Sequence, residues 1–204
     1  MIDISKLSKL QLDALKEIGT ISAGNAATGL SKMLNRRVDI TVPSAQIAPL
    51  EKVPDLLGGP EKLVSAIYIN LIGEVSGSIL LICPMNEALQ LTDLLTGRSI
   101  GTTKILDEFG QSALKELTNI ITGCYVEALS KVVNLKIIHS IPAFSADMLA
   151  AIIDGILIKL GLEVEHAVVI ETEFMIKEGS VKGYLLFLPE PAGLEMILER
   201  IGVR

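Results

Sequence analysis

The sequence predicts an α+β fold: a tandem internal repeat with pseudo-twofold symmetry, about six mostly antiparallel strands in a shared sheet, and two long surface helices. Three observations carry this. Residues 12–35 (LDALKEIGTISAGNAATGLSKMLN) align with residues 111–134 (QSALKELTNIITGCYVEALSKVVN) at a constant offset of 99, with identities at Ala14/Ala113, Leu15/Leu114, Lys16/Lys115, Glu17/Glu116, Gly24/Gly123, Leu30/Leu129, Ser31/Ser130, Lys32/Lys131 and Asn35/Asn134. Pro43 recurs as Pro142 at the same offset, and an offset of 105 then pairs Pro84 with Pro189 and Gly97 with Gly202, so the second copy carries about six extra residues in its middle. Finally, the β-rich runs on either side of Gly73-Glu74-Val75-Ser76-Gly77 are joined by a turn rather than a helix, which makes the sheet at least partly antiparallel.

Each half gives the same order of elements. A long helix opens it, about 8–34 and 107–133, ending at Asn35 or Asn134, residues that tolerate the left-handed conformation of a helix C-terminus. On the second helix Leu114, Leu117, Ile121, Cys124, Ala128 and Val132 recur at helical spacing and form the core-facing stripe. RVDITVP, VSAIYINL and GSILLICP then read as strands of the first half, and NLKIIHSIP, EHAVVIETEF and KGYLLFLP as those of the second. MNEALQLTDLLTG and EPAGLEMILERIG close the halves as helices, with Gly97 and Gly202 at positions suited to a C-terminal cap. No linker separates independent units, so the expectation is a single domain of two repeats, about 8–97 and 107–202.

Composition excludes several classes. Of 204 residues, 50% are hydrophobic and 21% charged, enough for a sizeable core. With 18 basic against 24 acidic residues the net charge is −6, which leaves no basic footprint for nucleic acid. Two cysteines (Cys83, Cys124) and two histidines (His139, His166) at unrelated spacings give no metal-ligand signature, so no metal and no cofactor of the chain's own is expected. The start lacks the features of a signal peptide, which makes the cytoplasm the expected location. Residues 64–83 are apolar over a bilayer length but read better as a hairpin; residues 141–162 carry Asp147, Asp154 and Lys159, so no membrane insertion is expected. A helix around 146–160 would place Asp147 and Asp154 on one face, with burial against the protein the default. His139, His166, Cys83 and Cys124 read most simply as strand and core residues.

The outward face of the repeated helix is the candidate site. Ser112, Glu116 and Asn119 stand at i, i+4 and i+7, so a carboxylate and a carboxamide project side by side; the first helix offers Asp13, Glu17 and Thr20 at the same places. A solvated helix face is the plainer reading of one copy, and duplication favours a working surface. Gly24 and Gly123 would allow close approach. Pro43 and Pro142 lack a ladder N–H and serve as structural markers that end or bend an edge strand.

The pattern Asp/Ser-x-x-x-Glu-x-x-Asn followed after 22 residues by Pro, present twice, resembles the CheC/CheX/FliY family of chemotaxis phosphatases, and Ala23-Gly24-Asn25-Ala26-Ala27 resembles the family's AGNAA signature. The second half matches at Ser112, Glu116, Asn119 and Pro142; the first departs from the family Asn at Thr20. The resemblance implies hydrolysis of the aspartyl phosphate on the response regulator CheY, whose site holds Mg²⁺ and a lysine. Asn119 would orient the attacking water and Glu116, or Glu17 in the first half, would pair with the regulator's lysine. Thr20 ends nearer its backbone than an asparagine amide, so the first site, Asp13, Glu17 and Thr20, is expected to be impaired. The region around Asp147, Phe144 and Met148 resembles the segment that binds the receptor deamidase CheD. The resemblance leaves a second function open, a non-catalytic CheY- and CheD-binding regulator. A flagellar switch component is weaker, since no further strand-rich segment follows residue 202. An internally duplicated chain satisfies its own pseudo-symmetry, so a monomer is expected.

Overall fold

A computed structural model describes residues 7–160, 164–176 and 179–202. Helix α1 (Lys9–Leu34) begins with a reciprocal cap: the Gln11 amide donates to the Ser8 hydroxyl and the Ser8 amide to the Gln11 side-chain oxygen. Helix α4 (Glu108–Val133), its repeat, begins at Asp107, whose carboxylate accepts from the Gly110 amide at 2.8 Å. Both end at the expected asparagines, left-handed at φ 49° for Asn35 and 52° for Asn134. The stripe expected on α4 holds at Leu114, Leu117, Ile121 and Ala128, whereas Cys124 is half-buried and Val132 is 45% exposed. Tyr125, Leu129 and Val133 turn inward instead, because α4 packs on α1 as well as on the sheet and so buries a wider arc than one stripe.

After α1 come β1 (Asp39–Thr41), β2 (Ala45–Pro49), a 3₁₀ turn (Leu50–Lys52), the short α2 (Val53–Leu56), the hairpin β3 (Leu63–Gly73) and β4 (Gly77–Pro84), and α3 (Met85–Thr96). The second half follows α4 with β5 (Ile137–His139), β6 (Ala143–Met148), α5 (Leu149–Leu160), β7 (His166–Ile176), β8 (Gly179–Pro189) and α6 (Pro191–Arg200). Every pairing is antiparallel in the order β1-β7-β8-β4-β3-β5, with β2 also on β7 and β6 also on β3. Eight strands thus fill six positions, since each edge is broken in two around Pro43 or Pro142. The edges are also exchanged: β1 and β2 pair with β7 of the second half, and β5 and β6 with β3 of the first. The sheet therefore belongs to both halves at once.

Helices α1, α3, α4 and α6 cover one face of this sheet, over Ile67, Leu71, Ile79, Leu81, Leu185 and Phe187. The opposite face, with Ala66, Tyr68, Leu80, Ile82, Leu186 and Leu188, is covered by α2 and α5. Strands buried on both sides read as unbroken apolar runs, which is why residues 64–83 imitate a membrane span. They form the expected hairpin, in register from Val64↔Pro84 to Leu71↔Gly77. A Cβ on Gly73 or Gly77 would lie 2.5 Å from the Lys136 oxygen or 2.6 Å from the Leu188 oxygen, so the turn admits no side chain at either. Among the described residues, no helix is long and apolar enough to cross a membrane.

One expectation fails in the second half. The segment read as a helix from 146 begins as strand β6, which pairs from Tyr68↔Ala143 to Leu63↔Met148, and the helix starts only at Leu149. Asp147 and Asp154 therefore do not share a helix face. The edge of β3 supplies a pairing surface that the local sequence does not announce.

Candidate functional site

Helices α1 and α4 lie side by side on the outer layer, with the side chain of Ile120 3.8 Å from where a Cβ on Gly29 would stand. This contact is an ordinary one, and Gly24 and Gly123 do not mediate close helix approach: a Cβ on Gly24 meets nothing within 4 Å, and one on Gly123 meets His139. Within the AGNAA stretch, Ala23, Ala26 and Ala27 are buried while Gly24 and Asn25 face outward, so the alanines seat α1 on the core.

The six motif residues occupy the outward arc as expected. Asp13, Glu17, Thr20, Ser112 and Glu116 are exposed, whereas Asn119 is half-buried. Because Gly29 stands beside Ile120, Thr20 lies nine residues, ~13 Å, along α1 from the level of Asn119. The motif thus makes two separate positions on one surface, not one combined cluster.

Hydrogen bonding divides the positions further. Thr20 Oγ1 donates to the Lys16 carbonyl at 3.0 Å and Ser112 Oγ to the Glu108 carbonyl at 2.8 Å, so both hydroxyls are folded back on their own helices. The Asn119 carboxamide and the Glu17 and Glu116 carboxylates have no hydrogen-bond or ion-pair partner among the described residues. A rigid helix thus presents an uncommitted donor–acceptor pair at Asn119 with a carboxylate one turn before it, suited to holding a water or a polar partner but to no redox or nucleophilic chemistry. Among the described residues no group of three or more His, Cys, Asp or Glu could hold a metal ion.

The prolines sit where each edge strand breaks, Pro43 between β1 and β2 and Pro142 between β5 and β6. Lys16 reaches across to donate to the Pro43 carbonyl at 3.1 Å, tying the first break to α1 beside Glu17. At the end of β6, Asp147 and Met148 are exposed, and Asp147 Oδ1 accepts from the Met148 amide at 2.7 Å. Phe144, expected to be exposed beside Asp147, is instead half-buried against the main core, because alternation along β6 turns it to the sheet face that α1 and α4 cover. His139, read as a strand residue, is the last residue of β5, and its ring lies over Gly123, one turn beyond Asn119. The repeat sets this imidazole at the place held by Ile40 in the first half.

A duplicated helix pair on one shared antiparallel sheet, each helix turning a Glu and then an Asn or Thr outward, defines a pseudo-symmetric protein with the same outward motif on both halves. Bacillus subtilis CheY-P phosphatase CheC is 32% identical over 196 residues, spanning 94% of each chain. The CheC-like family profile matches residues 10–47 and 109–146, the two long helices with their following edge strands. This chain belongs to the CheC-like family. Bacillus subtilis flagellar motor switch phosphatase FliY is 38% identical over 141 residues, 69% of this chain and 36% of that longer one. The crystal structure of Thermotoga maritima FliY shares the fold, with a TM-score of 0.79 at 23% identity over 96% of this chain and 98% of that one.

Proposed function

We propose that this chain is a phosphatase that accelerates hydrolysis of the aspartyl phosphate on a CheY-type response regulator, working mainly through α4. The observation that carries the reading is the half-buried, uncommitted carboxamide of Asn119 one turn beyond the exposed carboxylate of Glu116. The regulator's Mg²⁺ and lysine already balance charge at the phosphoryl group, so the added element need only hold a water in line with phosphorus. Asn119 positions that water with its amide, and Glu116 fixes the helix by pairing with the regulator's lysine. Ser112 supports the start of this face. Asp13 and Glu17 dock a regulator on α1, where Thr20, its hydroxyl folded onto Lys16, cannot reach as far. The Mg²⁺ belongs to the regulator; this chain contributes no cofactor and acts in the cytoplasm as a monomer. The test is decay of acyl phosphate on the regulator with catalytic amounts of wild type, Asn119→Ala and Glu17→Ala. Loss of most turnover in Asn119→Ala, with binding retained, supports the reading; unchanged turnover sinks it.

A second reading has an observation of its own. The β6–α5 corner exposes Asp147 and Met148 beside Leu63, a small apolar patch with a carboxylate at its rim. A CheD-type deamidase docking there would make the chain a regulator of adaptation as well. Asp147→Lys would then abolish CheD binding and leave regulator dephosphorylation unchanged.

A further inference from the structure

We infer that His139 is a specificity-determining residue of the Asn119 site, its imidazole contacting the docked regulator through Nε2; the inference rests on the phosphatase reading above. His139 is the last residue of β5, paired with Leu71 of β3, and its ring turns toward α4. Its Nε2 lies 3.7 Å from where a Cβ on Gly123 would stand, so the missing side chain at Gly123 leaves the ring lying on the helix surface. Gly123 follows Asn119 by four residues and Glu116 by seven, and all three share one face of α4. The ring is half-buried, so it borders the surface that a docking partner must cover to reach Asn119.

The tautomer is set locally. His139 Nδ1 lies 3.1 Å from the Ser140 carbonyl, which can only accept, so Nδ1 carries the proton and Nε2 bears the lone pair in the neutral ring. No protein group among the described residues bonds Nε2. The charged residues nearest in sequence lie on α4 and just before β5. On α4, Glu116 is unpaired and Glu127, one turn past Gly123, is held by Lys131 at 2.6 Å; Lys115 lies one residue before Glu116. Lys136, just before β5, donates its amide to the Glu74 carboxylate of the hairpin turn, and β3 offers the uncharged Leu71 opposite. His139 Nε2 thus adds an uncommitted hydrogen-bonding atom at the rim of the surface that a docked regulator must cover. The first site has none, since Ile40 stands at the equivalent position and is 8% exposed.

The ring stands one turn beyond Asn119 along α4, so the effect belongs in docking and not in the chemical step. The experiment is turnover of phosphorylated regulator by wild type, His139→Gln and His139→Ile, with dissociation constants for the regulator loaded with beryllium fluoride, a phosphoryl mimic. Expected for His139→Ile is a KM and a dissociation constant about three- to fivefold above wild type, the size of one hydrogen bond, with kcat little changed and His139→Gln keeping part of the docking. Unchanged KM and dissociation constants in both variants overturn the inference, as does a loss confined to kcat. If Asn119→Ala is as active as wild type, the phosphatase reading fails on its own. The binding arm then still decides whether His139 takes part in docking.

Discussion

The two halves of this molecule share a sheet and a helix pair, yet they differ at several of the positions around the outward motif. Leu15 and Leu114 are both fully buried, Asn35 and Asn134 both cap in the left-handed conformation, and Pro43 and Pro142 both break an edge strand. By contrast Thr20 stands opposite Asn119, Ile40 opposite His139, and a four-residue helix, Val53–Leu56, opposite the twelve-residue α5. Positions that hold the shared sheet cannot change in one copy without disturbing the other half, because each edge pairs across the repeat. Outward positions carry no such constraint, so chemistry can concentrate in one copy while the other is kept as scaffold and docking surface.

The swap of the two outward residues puts the most strain on this comparison. Asn119→Thr should lower turnover by on the order of 10²-fold, the cost of misplacing a reacting group by about an ångström. Adding Thr20→Asn to that variant should return at least a tenth of the lost rate if reach alone separates the sites. Stopped-flow decay of the acyl phosphate measures both. No recovery would mean that the first half lacks more than an amide, and the Ile40/His139 difference becomes the next suspect.

A buried carboxylate separates the halves in a second way. Asp93, at the end of α3, is fully buried and accepts from the amides of Gly101 and Thr102 at Oδ2 and from the amide and hydroxyl of Thr103 at Oδ1, at 2.6–2.9 Å. Its counterpart at offset 105 is Leu198, buried and apolar. Burial by itself would raise the Asp93 pKa, but the Thr103 hydroxyl and the three amides outweigh it and hold the carboxyl below its ordinary value. A folded-state value below the unfolded one, which is about 3.9, gives stability that is fully present above that pH and is lost as pH falls through the lowered value. Asp93→Asn turns an amide NH₂ toward backbone donors and should cost about 3 kcal/mol at pH 7. Urea unfolding at pH 7 and pH 3 checks this: the gap between wild type and variant should narrow at the lower pH. An equal gap at both would remove the carboxylate from the account.

How far the sequence alone reaches follows the same division. The repeat, both long helices with their Ser8 and Asp107 starts, the β3–β4 hairpin and the outward motif were legible, because each rests on periodicity, caps or turns within a few residues. What stayed hidden depends on partners distant in the chain. AFSADM has little strand propensity of its own and becomes β6 because the exposed edge of β3 pairs with it, which also turns Phe144 inward and breaks the expected helix face of Asp147 and Asp154. The exchange of edges between halves, the covering of the second sheet face by α5, and the placement of His139 over Gly123 are likewise consequences of nonlocal contact.

The smallest effect expected sets two buried tyrosines against each other. Tyr68 of the first half shares its hydroxyl with Asn70 Oδ1 and Ser78 Oγ, each at 2.6 Å. Tyr125 of the second half, packed 5.5 Å from the Phe187 ring, has a buried hydroxyl with no hydrogen-bond partner among the described residues, and burial pushes its phenol pKa up. A satisfied hydroxyl stabilises while an orphaned one costs, so the same substitution should move stability in opposite directions. Tyr68→Phe should destabilise by about 1 kcal/mol and Tyr125→Phe should be neutral or stabilising by up to about 1 kcal/mol. Urea midpoints at constant slope would register both. A destabilised Tyr125→Phe would mean that a buried water completes the network beneath α4, and that α4 rests on a polar support which its counterpart α1 lacks.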